Sequence, residues 1–282
     1  MKLLSLTALA MVAFAANSIL NRLALLDGAI GPANFATIRV AAGAIVLVAL
    51  ISLRDGSTIR PLRPDLPAVA GLTAYMLGFS FAYVSMDAGL GALILFGGVQ
   101  ITMFIGALIE GQKPPIQRWI GMGLAMAGLA VLTYPTEEVT LGMGAVSLMV
   151  LAAIGWGVYS LIGRGVSDPL GSTGWNFVYS LPIVALALVF WPDETMISSK
   201  GVGLAVLSGA VTSALGYALW YSLMPQLGAT RGALAQLSAP AIAVALGALL
   251  LGEVVTLSMG LAAAMILGGI AIGLARFERQ GT

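Results

Sequence analysis

The chain has 282 residues, of which 59% are hydrophobic and 9% charged, with a mean hydropathy of +1.00 and a net charge of +1. A soluble domain carries about 25% charged residues, so this composition excludes a water-exposed globule and makes lipid the solvent for most of the chain. Cysteine and histidine are both absent, which removes disulfides, thiolate and imidazole chemistry and the usual zinc and haem ligands.

Apolar stretches long enough to cross about 30 Å of hydrocarbon fall near 3–25, 32–53, 66–86, 89–110, 115–134, 141–164, 172–191, 200–222, 228–251 and 254–276. The pattern predicts an all-α integral membrane protein with ten transmembrane helices. The N-terminal stretch "MKLLSLTALAMVAFAANS" has the look of a secretory signal, but it has a counterpart in the second half of the chain and reads as a retained first helix. Connections such as "DGAIGP", "GQKPP" and "SDPLGS" are short and rich in turn formers. Lys2, Arg54, Arg60, Arg63, Lys113, Arg118, Arg164, Arg231, Arg276 and Arg279 gather on the side shared by both termini, against Arg22 and Lys200 on the other. The positive-inside rule then places both ends in the cytoplasm. Trp119, Trp175 and Trp191 fall at span ends, where interfacial indoles are expected.

The chain also repeats itself. At an offset of 142, Ser18 matches Ser160, Arg22 matches Arg164, Asn34-Phe35 matches Asn176-Phe177 and Tyr75 matches Tyr217. At an offset of 141, "GALILFGGVQITMFIGALIEGQ" from Gly91 aligns with "GALAQLSAPAIAVALGALLLGE" from Gly232. A nearly constant offset across five consecutive spans predicts two copies, 1–140 and 141–282. An odd number of helices per copy makes the second enter the membrane from the opposite face. Such inverted repeats place solute sites near the midplane between the copies.

Residues 32–39, "PANFATIR", put an arginine in the second span after Pro-x-x-Phe, and Gly252-Glu253 closes the fourth span of the second copy. In these features and in its duplication the chain resembles the EamA-type transporters of the drug/metabolite transporter superfamily. The resemblance covers essentially the whole chain and implies ten helices in two inverted five-helix copies that carry small solutes. The first copy departs from the pattern with Gly111-Gln112. The stretch "GQK" at 111–113, ahead of "GLAMAGLAVL", is similar to bacterial exporters of aromatic and neutral amino acids. This implies a secondary carrier in the bacterial inner membrane.

Arg39 is the one charge well inside a span, about 10 Å along the axis from Pro32. It either captures a substrate carboxylate or is tied structurally to carbonyls or to Asp27, Asp87 or Glu253. Tyr75, Phe79 and Tyr83 are spaced four apart and share one helix face. Tyr217 and Tyr221 occupy the repeat-equivalent of the first two, and Trp156 and Tyr159 sit mid-span. Together these rings are expected either to line a semi-polar chamber for an amino acid or small metabolite or simply to pack helices. Asn17, Gln100 and Gln236 either hydrogen-bond solute or join helices. Pro240 and Pro182 permit kinks, and Gly97-Gly98 lies where Ala239-Pro240 falls in the other copy, so matched kinks are expected in the moving elements. Arg39, Pro240 and Glu253 are the candidate structural or gating residues. "GLAMAG" and "GGIAIG" fit close packing of the fifth and tenth spans, or a homodimer face.

No Asp or Glu lies mid-span, so obligatory proton coupling is not expected. An intramembrane enzyme needs a nucleophile with a base or a metal cluster, and the lysines beyond Lys2 lie in loops, so no catalysis, cofactor or metal is expected. Other partners are lipid and the small-molecule substrate, with no nucleic acid. Export of drugs or hydrophobic metabolites is the alternative within transport, and a channel-like pore the alternative outside it.

Overall fold

The computed structural model describes residues 2–56, 61–133 and 142–274, without the side chains of 133, 224–225, 228–234 and 274. Of the charges that set the predicted orientation, Arg60, Arg276 and Arg279 lie outside the described residues, as does the side chain of Arg231.

The fold is all-helical, with no strand among the described residues, and ten helical spans. The first six spans are α1 (Lys2–Leu26), α2 (Pro32–Asp55), α3 (Leu66–Ala82), α4 (Ala88–Ile109), α5 (Ile116–Thr133) and α6 (Met143–Gly163). The seventh comprises α7 (Pro169–Ala185) and α8 (Ala187–Phe190). The eighth is made of α9 (Ser199–Leu207), the π-helical segment π1 (Ser208–Leu215) and the start of α10 (Gly216–Gln236). The ninth continues from α10 through α11 (Ser238–Leu246) and π2 (Gly247–Leu251), and α12 (Leu257–Leu274) is the tenth. Among the described residues six stretches are long and apolar enough to span a bilayer, and four apolar helices are shorter.

Helix starts follow local chemistry. Asp65, Asp168 and Ser198 cap α3, α7 and α9 by accepting from the amides of Ala68, Gly171 and Gly201 at 3.0–3.1 Å. Proline sits in the first turn of α2, α3 and α7, where its missing N–H has no intrahelical partner to lose. Apolar side chains occur on every face, as they must when both lipid and protein neighbours are apolar.

Two interruptions and one unbroken stretch bear on the expected kinks. Helical hydrogen bonding continues from Gly216 to Gln236, through the connection expected at 223–227, and the interruption falls at Leu237. Pro240 therefore lies in the first turn of α11, where no amide is needed. Pro182 deprives α7 of one internal bond, and the helix breaks at Leu186. Gly97-Gly98 produces no break: α4 is continuous, because nothing there removes a backbone donor. The interruption at Leu237 thus has no counterpart interruption in α4.

Helices meet through reciprocal glycines. A Cβ on Gly71 would lie 2.8 Å from the Gly155 carbonyl oxygen, and one on Gly155 would lie 2.5 Å from that of Gly71, so α3 and α6 touch backbone to backbone. Gly121 and Gly269 stand in the same relation between α5 and α12, at 2.2 and 2.5 Å. The small faces of the fifth and tenth spans are thus turned on each other.

Contacts at the two rims of the bundle fix helix directions. At one rim the Asp193 carboxylate, just after α8, accepts from the amides of Ala33 and Asn34 and from the Asn34 side chain at 2.7–3.2 Å. At the other, Arg54 near the end of α2 grips Asp168 before α7 with two bonds of 2.6 and 2.8 Å. The second and seventh spans are therefore antiparallel and pinned at both ends. The first rim also carries Lys200–Asp27 at 2.6 Å and the Ser198 hydroxyl on the Ala29 carbonyl at 2.7 Å.

Candidate functional site

The centre of the bundle is polar. Asn17 of α1 is buried, and its Oδ1 accepts hydrogen bonds from Ser208 at 2.8 Å, Thr212 at 2.5 Å and Ser213 at 3.4 Å, all on π1. In an α-helix a residue five positions on has rotated away. The wider i→i+5 turn brings positions four and five residues on back over the first, which is why all three hydroxyls reach one oxygen. Sequence reasoning missed these three donors, and the spacing Ser-x-x-x-Thr-Ser is the signal that marks them.

Arg39 stands beside this cluster with no solvent exposure. Its Nε donates to Ser213 Oγ at 3.3 Å and its Nη2 to the Tyr75 hydroxyl at 3.0 Å. Its guanidinium carbon lies 5.4 Å from the centre of the Tyr75 ring and 5.0 Å from that of Phe79, a range in which the ring quadrupole attracts a cation. Nη1 has no hydrogen-bond partner. None of the three acids considered as a structural tie reaches Arg39. Asp27 pairs with Lys200, Asp87 with Arg22, and Glu253 with backbone amides.

Around Arg39 the aromatic side chains form a continuous stack drawn from both halves of the chain. Trp156 lies 4.9 Å from Tyr75, 5.0 Å from Tyr217 and 5.5 Å from Tyr159. Phe79 lies 5.2 Å from Tyr75 and edge-on to Tyr83 at 4.7 Å. Tyr83 is buried at the end of this row, its hydroxyl on the Ala88 carbonyl at 3.3 Å. Tyr159, bonded to Thr173 at 3.3 Å, and half-buried Tyr221 line a narrow cleft with Ala68, Ile162, Pro169 and Asn176. The cleft thus lies beside the α6–α7 connection and ends against the aromatic stack.

The structure brings together Asn17, Arg39, Tyr75, Phe79, Trp156, Tyr159 and Tyr217, with Tyr83 and Tyr221 at the margins. Gln100 and Gln236 are half-buried on α4 and at the end of α10, outside this network. Pro240 is buried behind the break at Leu237.

Glu253 follows π2 and reaches the start of α4, accepting from the amides of Ala88 at 2.5 Å and Gly89 at 3.1 Å. It is an N-cap supplied from the far end of the sequence. Burial raises its carboxyl above the usual carboxylate range, against the opposing effect of the two amides. Its repeat counterpart Gln112 is exposed and donates to Glu110 at 3.1 Å. Asp168, by contrast, is held below the usual range by Arg54. Among the described residues no cluster of acids offers a metal site.

Relatives agree with this architecture. A Pseudomonas aeruginosa protein described as uncharacterized is 43% identical over 282 residues, covering 99% of this chain and 98% of its own. A "probable amino-acid metabolite efflux pump" of Salmonella typhimurium is 24% identical over 252 residues, covering 78% of this chain and 81% of its own. Its Escherichia coli namesake is 25% identical over 222 residues, covering 72% and 74%. A crystal structure at 18% identity superposes with a TM-score of 0.66 over 95% of this chain and 97% of its own, which shows a shared fold. The EamA-like transporter family matches residues 1–134 and 143–274; with that coverage, the chain belongs to the EamA-like transporter family.

Proposed function

We propose that the protein is a secondary transporter that exports neutral or aromatic amino acids, or closely related small metabolites, by alternating access between two inverted copies, 1–140 and 141–282. The observation that carries this reading is the contact of Tyr75, Trp156 and Tyr217, rings from both halves that meet at the bundle centre beside the polar Asn17 and Arg39 group. These side chains supply apolar surface with a few placed polar groups, the composition of a small-molecule site. Its position between halves suits a site exposed alternately to each side.

The charge distribution supports an orientation with both termini in the cytoplasm of a bacterial cell and the bundle in the inner membrane. The cleft beside the α6–α7 connection is then the cytoplasmic approach, stopped at Tyr159 and Trp156. Without a mid-span acid the cycle runs on the solute gradient, with no obligatory proton.

The test is counterflow in proteoliposomes of the purified protein, with a panel of radiolabelled amino acids and organic cations. Amino acids or their close relatives are expected to exchange, and Tyr75→Ala and Tyr217→Ala to change the preference among them. Unaltered selectivity in both variants refutes the chamber, and collapse of counterflow when the pH gradient alone is dissipated refutes uncoupled transport.

A further inference from the structure

We infer that Arg39 is the receptor for a single carboxylate of the transported solute, and that the solute's ammonium, where it has one, contributes little to binding. This rests on the transport reading above and adds to it the chemical class that the site selects.

The first support is charge. Among the described residues the only buried charged side chains are Arg22 and Arg39. Arg22 leaves its Nε unpaired but has an acid partner, Asp87 at 3.4 Å, besides the Tyr83 and Val84 carbonyls at 3.1 and 3.0 Å. Arg39 has only neutral partners. Buried charges inside spans pair with an opposite charge or with backbone carbonyls, or mark a substrate path, and Arg39 has neither acid nor carbonyl.

The second is the direction of the free donor. Nε and Nη2 are each taken by a hydroxyl, Tyr75 and Phe79 lie over the guanidinium, and buried Nη1 is left over. Ser213 passes its own proton to Asn17, so the hydroxyl ladder on π1 presents oxygen to the arginine and holds it in place. The Tyr75 hydroxyl accepts from Nη2 and is also hydrogen-bonded with Tyr217, so the two N–H groups of Nη1 are the donors left for one carboxylate. Trp156 and Tyr217 next to Tyr75 receive the apolar part of the solute.

The third is what the chamber does not offer. With no buried carboxylate among the described residues, an ammonium gains only neutral acceptors. A free cation is repelled by Arg39.

Three probes separate these groups: L-phenylalanine, 3-phenylpropanoate, which lacks the amine, and L-phenylalaninamide, which lacks the carboxylate. Binding to the full chain purified in detergent is measured by calorimetry. 3-Phenylpropanoate is expected within about threefold of L-phenylalanine, and the amide weaker than either by about tenfold or more, the scale of a lost charge-assisted hydrogen bond. Arg39→Lys keeps the charge but not the fork and is expected to weaken both acids by about tenfold while leaving the amide unchanged. Arg39→Met should abolish the preference for acid over amide, read on protein that elutes as a monodisperse peak. Equal binding of acid and amide to the unaltered protein overturns the inference, as does an acid preference that survives in Arg39→Lys and Arg39→Met. If tetraphenylphosphonium counterflows and neither acid binds, the inference fails while transport stands. If nothing in the panel counterflows, the transport reading fails.

Discussion

Asn17→Ala is expected to destabilise the protein by about 2 kcal/mol, and the network shows why. The substitution removes the one oxygen that accepts from Ser208, Thr212 and Ser213. Thr212 has a second acceptor in the Ser208 carbonyl at 2.9 Å and is not orphaned. Ser208 and Ser213, both with no exposure, are left with unmade bonds. Each such loss is about 1–3 kcal/mol in a dry interior, but interhelical hydrogen bonds in membranes average nearer 0.6 kcal/mol because the separated helices find other partners. Two losses between those limits give about 2 kcal/mol, or a melting shift of roughly 4–8 °C by the scaling of large soluble domains. Thermal unfolding in detergent, followed by the monodisperse fraction on size exclusion, measures it. Asn21→Ala, one turn along α1, is the control: Asn21 Oδ1 has no partner and its amide makes only a 3.5 Å bond to the Asn17 carbonyl. A shift under about 1 °C for Asn17→Ala, or equal shifts for the two variants, refutes the account of the π1 hydroxyls.

Glu253 gives a pH dependence of defined sign. Its carboxyl in the cap binds a proton more tightly than a solvated glutamate, so the cap is strongest below the ordinary carboxylate value. It weakens as pH rises through the interval up to the raised value and is flat above it. Asp87 and Arg22, its charged neighbours, act in opposite directions. Hydrogen exchange at the start of α4, corrected for intrinsic rates, should show protection falling with pH across that interval, and Glu253→Gln should remove the trend; protection that rises with pH contradicts it. Gly209→Val sets a Cβ 2.1 Å from the Arg39 carbonyl and should cost about 3 kcal/mol or prevent folding, whereas Gly203→Ala, with nothing within 4 Å, should be silent in the same melting assay. Arg54 and Asp168 are paired with good geometry but stay 41% and 37% exposed, so a double-mutant cycle should return no more than about 1 kcal/mol.

The spans were legible because lipid demands long apolar runs and little else resembles them. The meeting of Tyr75 and Tyr217 through Trp156 was legible from their spacing and repeat match; that Arg39 joins Tyr75 and Phe79, and Asn17 the neighbouring hydroxyls, was not, because no pattern in the sequence links them. What stayed hidden depended on backbone winding and on distant ends. "SGAVTS" carries no signal in an α-helical register, and its hydroxyls come together only because the turn widens there. Glu253 at a span end looks solvated, and only the fold shows that Ala88 and Gly89 lie beneath it. Asp27, Asp87 and Glu253 were reasonable partners for Arg39 by composition, yet each has a nearer donor at the rim. Glycine pairs and prolines look alike as kink signals, but a glycine keeps its N–H, so the hydrogen-bond ladder of α4 is unbroken at Gly97-Gly98.

The pinning of α2 to the seventh span at both ends, set against a ninth span interrupted at Leu237 and tethered by Glu253, divides the bundle into an axle and an arm. Damage to the axle, at Asp193 or Asn34, should appear as lost heat tolerance with the transport cycle intact in whatever survives. Damage to the arm, at Leu237 or Pro240, should leave a sturdy protein that turns over at the wrong speed.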